Sequence, residues 1–121
     1  MTVLLGLELE GLPPTVNHIY RSARRGFRFK TASCVKYQEE VSNAMRRLWD
    51  KEAYDGRVSL NIKFTVQNRR KWDRDHRVKA LQDCLELACV IKNDSQIDEL
   101  HVKREHGEVS KTSIKLCAYQ R

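Results

Sequence analysis

The sequence lacks any long apolar run. No stretch approaches the roughly 20 apolar residues that a membrane-spanning helix needs. The opening residues, MTVLLGLELEGLPP, carry no basic segment, and acidic residues interrupt their apolar character early, so they do not resemble a signal peptide. We therefore expect a cytoplasmic protein with no membrane partner.

Glycine and proline are also scarce, with 5 Gly and 2 Pro in 121 residues. The glycines are scattered, so the chain has no glycine-rich loop of the kind that cradles nucleotide phosphates, and we expect no small-molecule cofactor. Repeats and low-complexity stretches are absent. With 40% hydrophobic and 32% charged residues, the composition predicts one folded domain over residues 1–121 and excludes disorder.

Cysteine occurs only four times, and we expect the protein to lie in the cytoplasm, where thiols stay reduced. A disulfide scaffold is therefore excluded. The four are Cys34, Cys84, Cys89 and Cys117. The spacing from Cys84 to His106 is similar to that of a two-Cys, two-His zinc finger. A finger, however, takes its cysteines from a hairpin and its histidines from one helix, whereas here Cys84 falls in a helical pattern and His101 in a strand pattern. We therefore predict buried free thiols and no zinc site.

Hydrophobic periodicity predicts an α+β fold. Alternation from Val58 to Val66 is typical of a half-buried strand, and the spacing from Tyr37 to Leu48 is typical of an amphipathic helix. The predicted order is a strand at 3–10, a basic hairpin at 18–31, a helix at 32–49, a strand at 58–66, a helix at 74–88, and strands at about 97–105 and 110–119. This order favours a mixed, largely antiparallel sheet packed by two helices.

Positive charge is concentrated in two clusters within a chain of net charge +7. No acidic residue occurs from Leu12 to Thr31, where aromatic residues are interleaved with the basic ones. Clustered cations of this kind predict binding to a polyanion such as nucleic acid, because neutralised phosphates release counterions. A solvated basic surface is the simpler alternative. The candidate DNA-binding residues are Arg21, Arg24, Arg25, Arg28, Lys30, Arg69, Arg70, Lys71 and Arg74.

Acidic residues lie beside the second cluster. On the predicted helix, Asp75, Lys79 and Asp83 are spaced four apart and form one polar stripe. Asp73 precedes the helix, and Asp94 lies in the polar segment that follows it and that can fold back. Carboxylates within about 5 Å of one another repel by ~3 kcal/mol per pair at an effective dielectric near 20, so such a cluster needs a cation. Hard oxygen ligands suit Mg²⁺ or Mn²⁺, and phosphate esters are the usual substrates.

The same residues also have a purely structural interpretation, as an alternative to a cation site. Asp73 and Asp75 are also good helix N-caps, and Lys79 is an ordinary i,i+4 ion partner for Asp75 or Asp83. On that interpretation the chain is a basic DNA-binding module without catalysis.

The complete pattern resembles the RusA family of Holliday-junction resolvases. The run from Asp73 to Leu85 is similar to the family's Asp-x-Asp-Asn-x-x-Lys-x-x-x-Asp-x-Leu, and Asn93-Asp94-Ser95-Gln96 is similar to its Asp-Asp-x-Gln. The opening Leu12–Arg21 is similar to the family's Pro-Pro-Ser-x-Asn-x-x-Tyr-Arg, and Tyr37 falls where the family has a tyrosine.

The resemblance implies a homodimeric, Mg²⁺-dependent endodeoxyribonuclease that nicks four-way junctions symmetrically and leaves 5′-phosphomonoesters. By position, it implies that Asp73, Asp75 and Asp94 hold the metal, with Mn²⁺ as a substitute, and that Lys79 is the catalytic lysine. A metal nuclease that prefers flaps or other branched DNA remains an alternative.

Two positions depart from the family pattern. His76 replaces an Asn, and Asn93 replaces the first Asp of the Asp-Asp pair. Losing that carboxylate lowers metal affinity if the group contributes to binding. For His76 a hydrogen-bonded structural role is favoured over ligation. We expect His76, Asp83 and Asn93 to support the metal site from its periphery.

Overall fold

The computed structural model describes residues 2–13, 20–22, 28–30, 32–67 and 74–119, with the side chains of residues 20–22, 28–30, 33 and 74–76 excepted. Two helices and six strands follow one another along this part of the chain. In chain order they are β1 (Val3–Glu10), β2 (Tyr20–Ser22), β3 (Arg28–Lys30), α1 (Ala32–Leu48), β4 (Val58–Val66), α2 (Arg74–Leu87), a short 3-10 helix (Asp94–Gln96), β5 (Ile97–His106) and β6 (Lys111–Ala118).

Four of the strands form the main sheet, in the order β1-β6-β4-β5. β6 runs antiparallel to both of its neighbours, whereas β4 and β5 are parallel and are connected through α2. The predicted α+β class, with a mixed sheet packed by two helices, is therefore confirmed. The predicted basic hairpin is also present as a separate antiparallel pair, β2 with β3. Its proposed turn at Arg25-Gly26 lies outside the described residues.

The core lies on one side of the main sheet, where α1 and α2 pack. From the central strand β4, Val58, Leu60 and Phe64 are fully buried. The prediction of a half-buried strand is wrong near the ends of β4, because Ser59 and Thr65 on its other face are buried as well. β4 has a partner strand on each side, which explains why alternation alone underestimates its burial.

Helix α1 buries Val41 and Met45 but ends differently from the prediction. Leu48, placed on the apolar stripe by its spacing, is 53% exposed, and Trp49 is buried instead. The helix stops at Leu48, and the Trp49 indole donates a hydrogen bond to the carbonyl of Glu52 (3.0 Å). Helical spacing no longer applies once the backbone has left the helix.

Helix α2 presents the predicted residues Val78, Leu81 and Leu85 to the core. Beyond its last residue, Cys89 adopts a left-handed conformation (φ 57°), and the Val90 amide donates to the Leu85 carbonyl (3.0 Å). This is a Schellman arrangement with cysteine where glycine is usual. It reverses the chain, which then enters the 3-10 helix where the sequence indicated only a loop or extended segment.

All four cysteines are free thiols, and the prediction that they are buried is confirmed for Cys34, Cys84 and Cys117 and wrong for Cys89, which is exposed. Cys84 is buried in α2, whereas His101 and His106 lie on β5. None of the helices in the described residues is both long and apolar enough to span a bilayer.

The turn between β5 and β6 requires glycine. A Cβ on Gly107 would lie 2.6 Å from Cγ2 of Thr65, a buried side chain on β4. We expect Gly107→Ala to lower the free energy of unfolding by about 1–3 kcal/mol in urea titrations, the usual cost of overpacking.

Gly6→Ala is the matched control, because a Cβ at Gly6 meets nothing within 4 Å. Combining Gly107→Ala with Thr65→Ser, which removes the opposing methyl group, should recover much of the loss. Equal destabilisation by Gly107→Ala and Gly6→Ala would contradict the steric explanation.

Candidate active site

The polar stripe of α2 carries an ion pair at its centre. Lys79 and Asp83 are one helical turn apart, and Nζ lies 3.1 Å from Oδ1. The stripe lies on the side of the helix opposite Leu81 and Leu85, which are fully buried. Helical spacing alone predicts this pairing.

Asp94 meets the same lysine from a different element. Its Oδ2 accepts a hydrogen bond from Lys79 Nζ at 3.2 Å, across 15 residues of sequence. The segment after α2 therefore folds back beside the helix, as the sequence analysis expected. One ammonium group thus bridges the carboxylates of Asp83 and Asp94.

This bridge keeps Lys79 charged. The hydrogen bond to Asp83 is the main cause that raises the pKa of Lys79; partial burial opposes it, and the hydrogen bond to Asp94 adds to it. The Lys79 side chain is 55% exposed, so water screens the pairing and the ions stabilise the fold little. The main effect of the bridge is to position the Lys79 ammonium. Its contribution to the stability of the protein is small.

Glu86 fixes the backbone at Asp94, a role that the sequence analysis did not predict. Its Oε1 accepts a hydrogen bond from the Asp94 amide at 2.8 Å. Glu86 lies seven residues after Lys79, so the same helical stripe supplies the ammonium and this anchor. The spacing was visible in the sequence, but the position of Asp94 beside it was not.

Asn93 caps the 3-10 helix that begins at Asp94. Its side-chain oxygen accepts a hydrogen bond from the Ser95 amide at 2.8 Å, and Oε1 of Gln96 accepts one from the Asn93 amide at 3.1 Å. These reciprocal bonds form a capping box. The Asn93 side chain is therefore used in building the turn.

Gln96 is the buried anchor of this segment and was likewise given no role in the sequence analysis. Its Nε2 donates to the carbonyls of Tyr54 (2.7 Å) and Gly56 (2.9 Å), while Oε1 also accepts from the Lys92 amide (2.8 Å). Its side chain thus makes four hydrogen bonds, two donated and two accepted. The available signal was the Gln of the quoted motif, whose side chain reaches a loop far away in sequence.

Several predicted site residues cannot be placed beside this cluster. Asp73 lies outside the described residues, and for Asp75 and His76 the backbone in the first turn of α2 is described without side chains. Where side chains are described, no three His, Cys, Asp or Glu residues converge as metal ligands. The convergence of Asp73, Asp75 and Asp94 therefore stays a prediction.

The basic clusters are described in part. Arg24, Arg25, Arg69, Arg70 and Lys71 lie outside the described residues. In the hairpin backbone, Arg21 on β2 pairs with Phe29, so Arg21 lies between the registers of Arg28 and Lys30 on β3. Arg74 begins α2.

Arg77 connects this helix to the start of the basic region. Its guanidinium Nη1 donates a hydrogen bond to the carbonyl of Pro13, which is itself buried. The first turns of α2 are thereby attached to the segment between β1 and the hairpin. This contact brings the acidic stripe and the acid-free segment of the chain together.

Tyr37 is half-buried on α1 and packs against the core. Burial is the main cause that raises the pKa of its hydroxyl.

The family model described as Endodeoxyribonuclease RusA matches residues 10–117. The chain belongs to the RusA family of endodeoxyribonucleases. It is also 32% identical over 115 residues to a protein named crossover junction endodeoxyribonuclease RusA from Aquifex aeolicus (strain VF5), an alignment that covers 94% of this chain and 91% of that relative. The resemblance inferred from the motifs is confirmed, and the match includes both basic clusters and every candidate active-site residue.

The Gln96 network predicts a structural phenotype within the candidate active site. We expect Gln96→Ala to lower the free energy of unfolding by about 1–3 kcal/mol, because buried backbone groups lose their partners. The substitution should also speed hydrogen exchange at the Asp94 amide, as measured by NMR.

Ser95→Ala, in the same turn but at an exposed position, is the control and should change both quantities little. If Gln96→Ala lowers stability while exchange at Asp94 stays slow, Gln96 does not hold the turn in place.

Proposed function

We propose that this protein is a Mg²⁺-dependent endodeoxyribonuclease that resolves four-way DNA junctions by paired, symmetric nicks during recombination and repair. The observation that carries the proposal is the Lys79 ammonium, held at 3.1 Å from Asp83 and 3.2 Å from Asp94, in a chain of the RusA family. We further propose that residues 1–121 act as one cytoplasmic domain and that two copies form the working enzyme.

The chemistry of Asp94 fits a cation site. Its carboxylate already faces a positive charge, since Oδ2 accepts from Lys79 Nζ at 3.2 Å. The backbone of Asp75 lies one helical turn before Lys79 on α2, and Asp73 precedes that helix. In this proposal Asp73, Asp75 and Asp94 supply the hard oxygen ligands that Mg²⁺ prefers, with Mn²⁺ as a substitute.

The proposed reaction is hydrolysis of one phosphodiester in each of two strands. Water attacks the phosphorus, the bond to the 3′ oxygen breaks, and a 5′-phosphomonoester and a 3′-hydroxyl remain. A bound divalent cation supplies an acidified water and a Lewis acid for the phosphoryl oxygen. Lys79 contributes a compact positive charge beside the phosphate, where negative charge builds up in the transition state.

Asp83 and Glu86 act as positioning residues in this scheme. Asp83 would hold the lysine from within α2 while Asp94 serves as a metal ligand, so the ammonium would keep one anchor. Glu86 holds the Asp94 backbone at 2.8 Å. Asn93 contributes as the cap of the turn, and an Asp at that position would make the same hydrogen bond to Ser95.

Substrate binding is assigned to the basic clusters. The hairpin cations Arg21, Arg28 and Lys30 and the second cluster before α2 would contact phosphates, whose neutralisation does not depend on DNA sequence. In this scheme the basic clusters determine the affinity for DNA, and the acidic site carries out the cleavage.

A junction assay tests the reaction directly. We expect Mg²⁺-dependent cleavage of a synthetic four-way junction, with paired nicks and 5′-phosphate ends, while linear duplex of the same sequence resists at equal enzyme concentration. Gel analysis of end-labelled strands measures both the position of the nicks and the chemistry of the ends.

Flap and three-way substrates belong in the same assay. Faster cleavage of flaps than of junctions would favour the alternative branched-DNA nuclease. Cleavage that persists unchanged in a chelator would contradict the metal-dependent mechanism.

Binding and cleavage should separate by mutation. Asp75→Asn removes a negative charge near phosphate, so junction affinity should be retained or increased while cleavage falls by orders of magnitude. Lys79→Ala should also abolish most cleavage, because the ammonium acts mainly on transition-state charge. Arg24→Ala or Arg28→Ala should instead weaken binding and reduce its salt dependence by about one unit per lost contact.

Electrophoretic mobility shifts without metal and single-turnover cleavage with metal measure the two properties separately. Near wild-type cleavage by Asp75→Asn would make Asp75 only part of the helix terminus, and the non-catalytic DNA-binding interpretation would then be preferred.

A further inference from the structure

Arg77 places a guanidinium group on the core side of α2. It precedes Leu81 by four residues and Cys84 by seven, so the three lie on one stripe of the helix, and Leu81 and Cys84 are fully buried. Arg77 as a whole is half-buried, and its Nε atom is shielded from solvent. Because a charge in such a place costs free energy unless it is hydrogen-bonded, the arginine requires a structural or functional reason.

The guanidinium holds the segment that follows β1. Its Nη1 donates a hydrogen bond to the carbonyl of Pro13, which is fully buried. Nearby, the Gly11 amide donates to the carbonyl of Ser110 at 2.9 Å. The Thr112 hydroxyl donates to the Gly11 carbonyl, also at 2.9 Å. The segment is therefore attached to β6 and the turn before it through Gly11, and to α2 through Pro13.

Tyr37 approaches this contact from α1. Burial raises the pKa of the Tyr37 hydroxyl, and the nearby positive charge of Arg77 opposes that effect. The hydroxyl oxygen is shielded from solvent and has no hydrogen-bond partner in the described part of the chain. Arg77 thus lies where α1, α2 and the segment after β1 meet.

The β2–β3 hairpin depends on its connections for its position. It forms a sheet of its own, with three paired residues on each strand, and within the described ranges it is not part of the main sheet. A two-stranded hairpin is marginally stable by itself in water. Pro13 lies on the connection from β1 to β2, so the bond from Arg77 fixes one point on the path to the hairpin.

We propose that Arg77 is a positioning residue, which holds the hairpin in register with Lys79 and so determines which phosphodiester is cut. This inference rests on the proposed function. Arg77 and Lys79 are two residues apart, so they are about 3 Å apart along the helix axis and point in nearly opposite directions. One turn of α2 therefore carries the proposed catalytic ammonium on one side and holds the path to the DNA-binding hairpin on the other.

The spacing of DNA makes this register consequential. Consecutive phosphates of a strand are about 3.4 Å apart along the duplex axis. A shift of the hairpin by a few ångströms would therefore bring a neighbouring phosphate to Lys79. Cleavage at a single position requires that the hairpin and the ammonium keep a fixed relation.

Hydrogen exchange tests the attachment without any cleavage. Arg77→Met should speed exchange of the β2 and β3 amides about tenfold, because a local structure loses one charged hydrogen bond. Exchange in β4 should stay as slow as in the wild type. Methionine removes a buried charge and keeps an unbranched side chain, so the variant should fold, which thermal unfolding checks. Arg77→Gln, whose amide is too short to reach Pro13, is a second variant and should act in the same direction.

Nick mapping on a four-way junction tests the consequence for cleavage. With end-labelled strands, Arg77→Met should cut the original phosphodiester about tenfold more slowly, the cost of a small misplacement, and should produce new nicks at neighbouring phosphates. Arg77→Lys, which keeps a charged donor, should restore most of the original position. A change in stability alone would lower the amount of active enzyme but would not move the nicks.

Arg46→Met is the matched control. Arg46 also donates from its guanidinium to a backbone carbonyl, that of Leu87 at 2.6 Å, but at the other end of α2. The control removes the same charge and the same kind of hydrogen bond. It should leave both the nick positions and exchange in the hairpin unchanged.

Unchanged exchange in β2 and β3 upon Arg77→Met would overturn the proposal, whatever the enzyme cuts. Faster exchange with unmoved nicks would also overturn it, because Arg77 would then stabilise the hairpin without selecting the phosphodiester. The same is true if Arg46→Met moves the nicks equally. A wild-type protein that cuts no DNA would contradict the proposed function and with it the selection of a phosphodiester, whereas the exchange result would still decide whether Arg77 holds the hairpin.

Discussion

Four hydrogen bonds to the buried side chain of Gln96 determine where Asp94 stands. The amide ties the loop at Tyr54 and Gly56 to the turn at Lys92 and Asn93, so the start of β5 is fixed relative to α2. Glu86 then holds the Asp94 amide from the helix side. Because a buried amide cannot leave these partners without large cost, the Asp94 turn beside Lys79 is held in place by the folded chain itself.

The charges of this chain have two opposite effects on DNA binding. The net charge of +7 attracts DNA, yet the carboxylates of Asp83 and Asp94 lie together beside Lys79, and they repel phosphate. Lys79 resolves part of this conflict, since its single positive charge offsets one of the two negative charges of Asp83 and Asp94. In the proposed function Asp94 would hold the metal, and the Lys79 ammonium would then face the phosphate while Asp83 still positions it. In the proposed mechanism the Lys79 ammonium thus balances carboxylate charge in the free protein and phosphate charge in the complex with DNA.

The sequence predicts what depends on local periodicity and misses what depends on contacts between distant segments. Alternation located β4 and the spacing of Lys79 and Asp83 gave their ion pair, because both follow from backbone geometry alone. The burial of Ser59 and of Trp49 in place of Leu48 depends on neighbouring elements, and so do the anchors Glu86 and Gln96. Family resemblance indicated that Asp94 belongs with Lys79, but only the folded chain shows how the turn is held there.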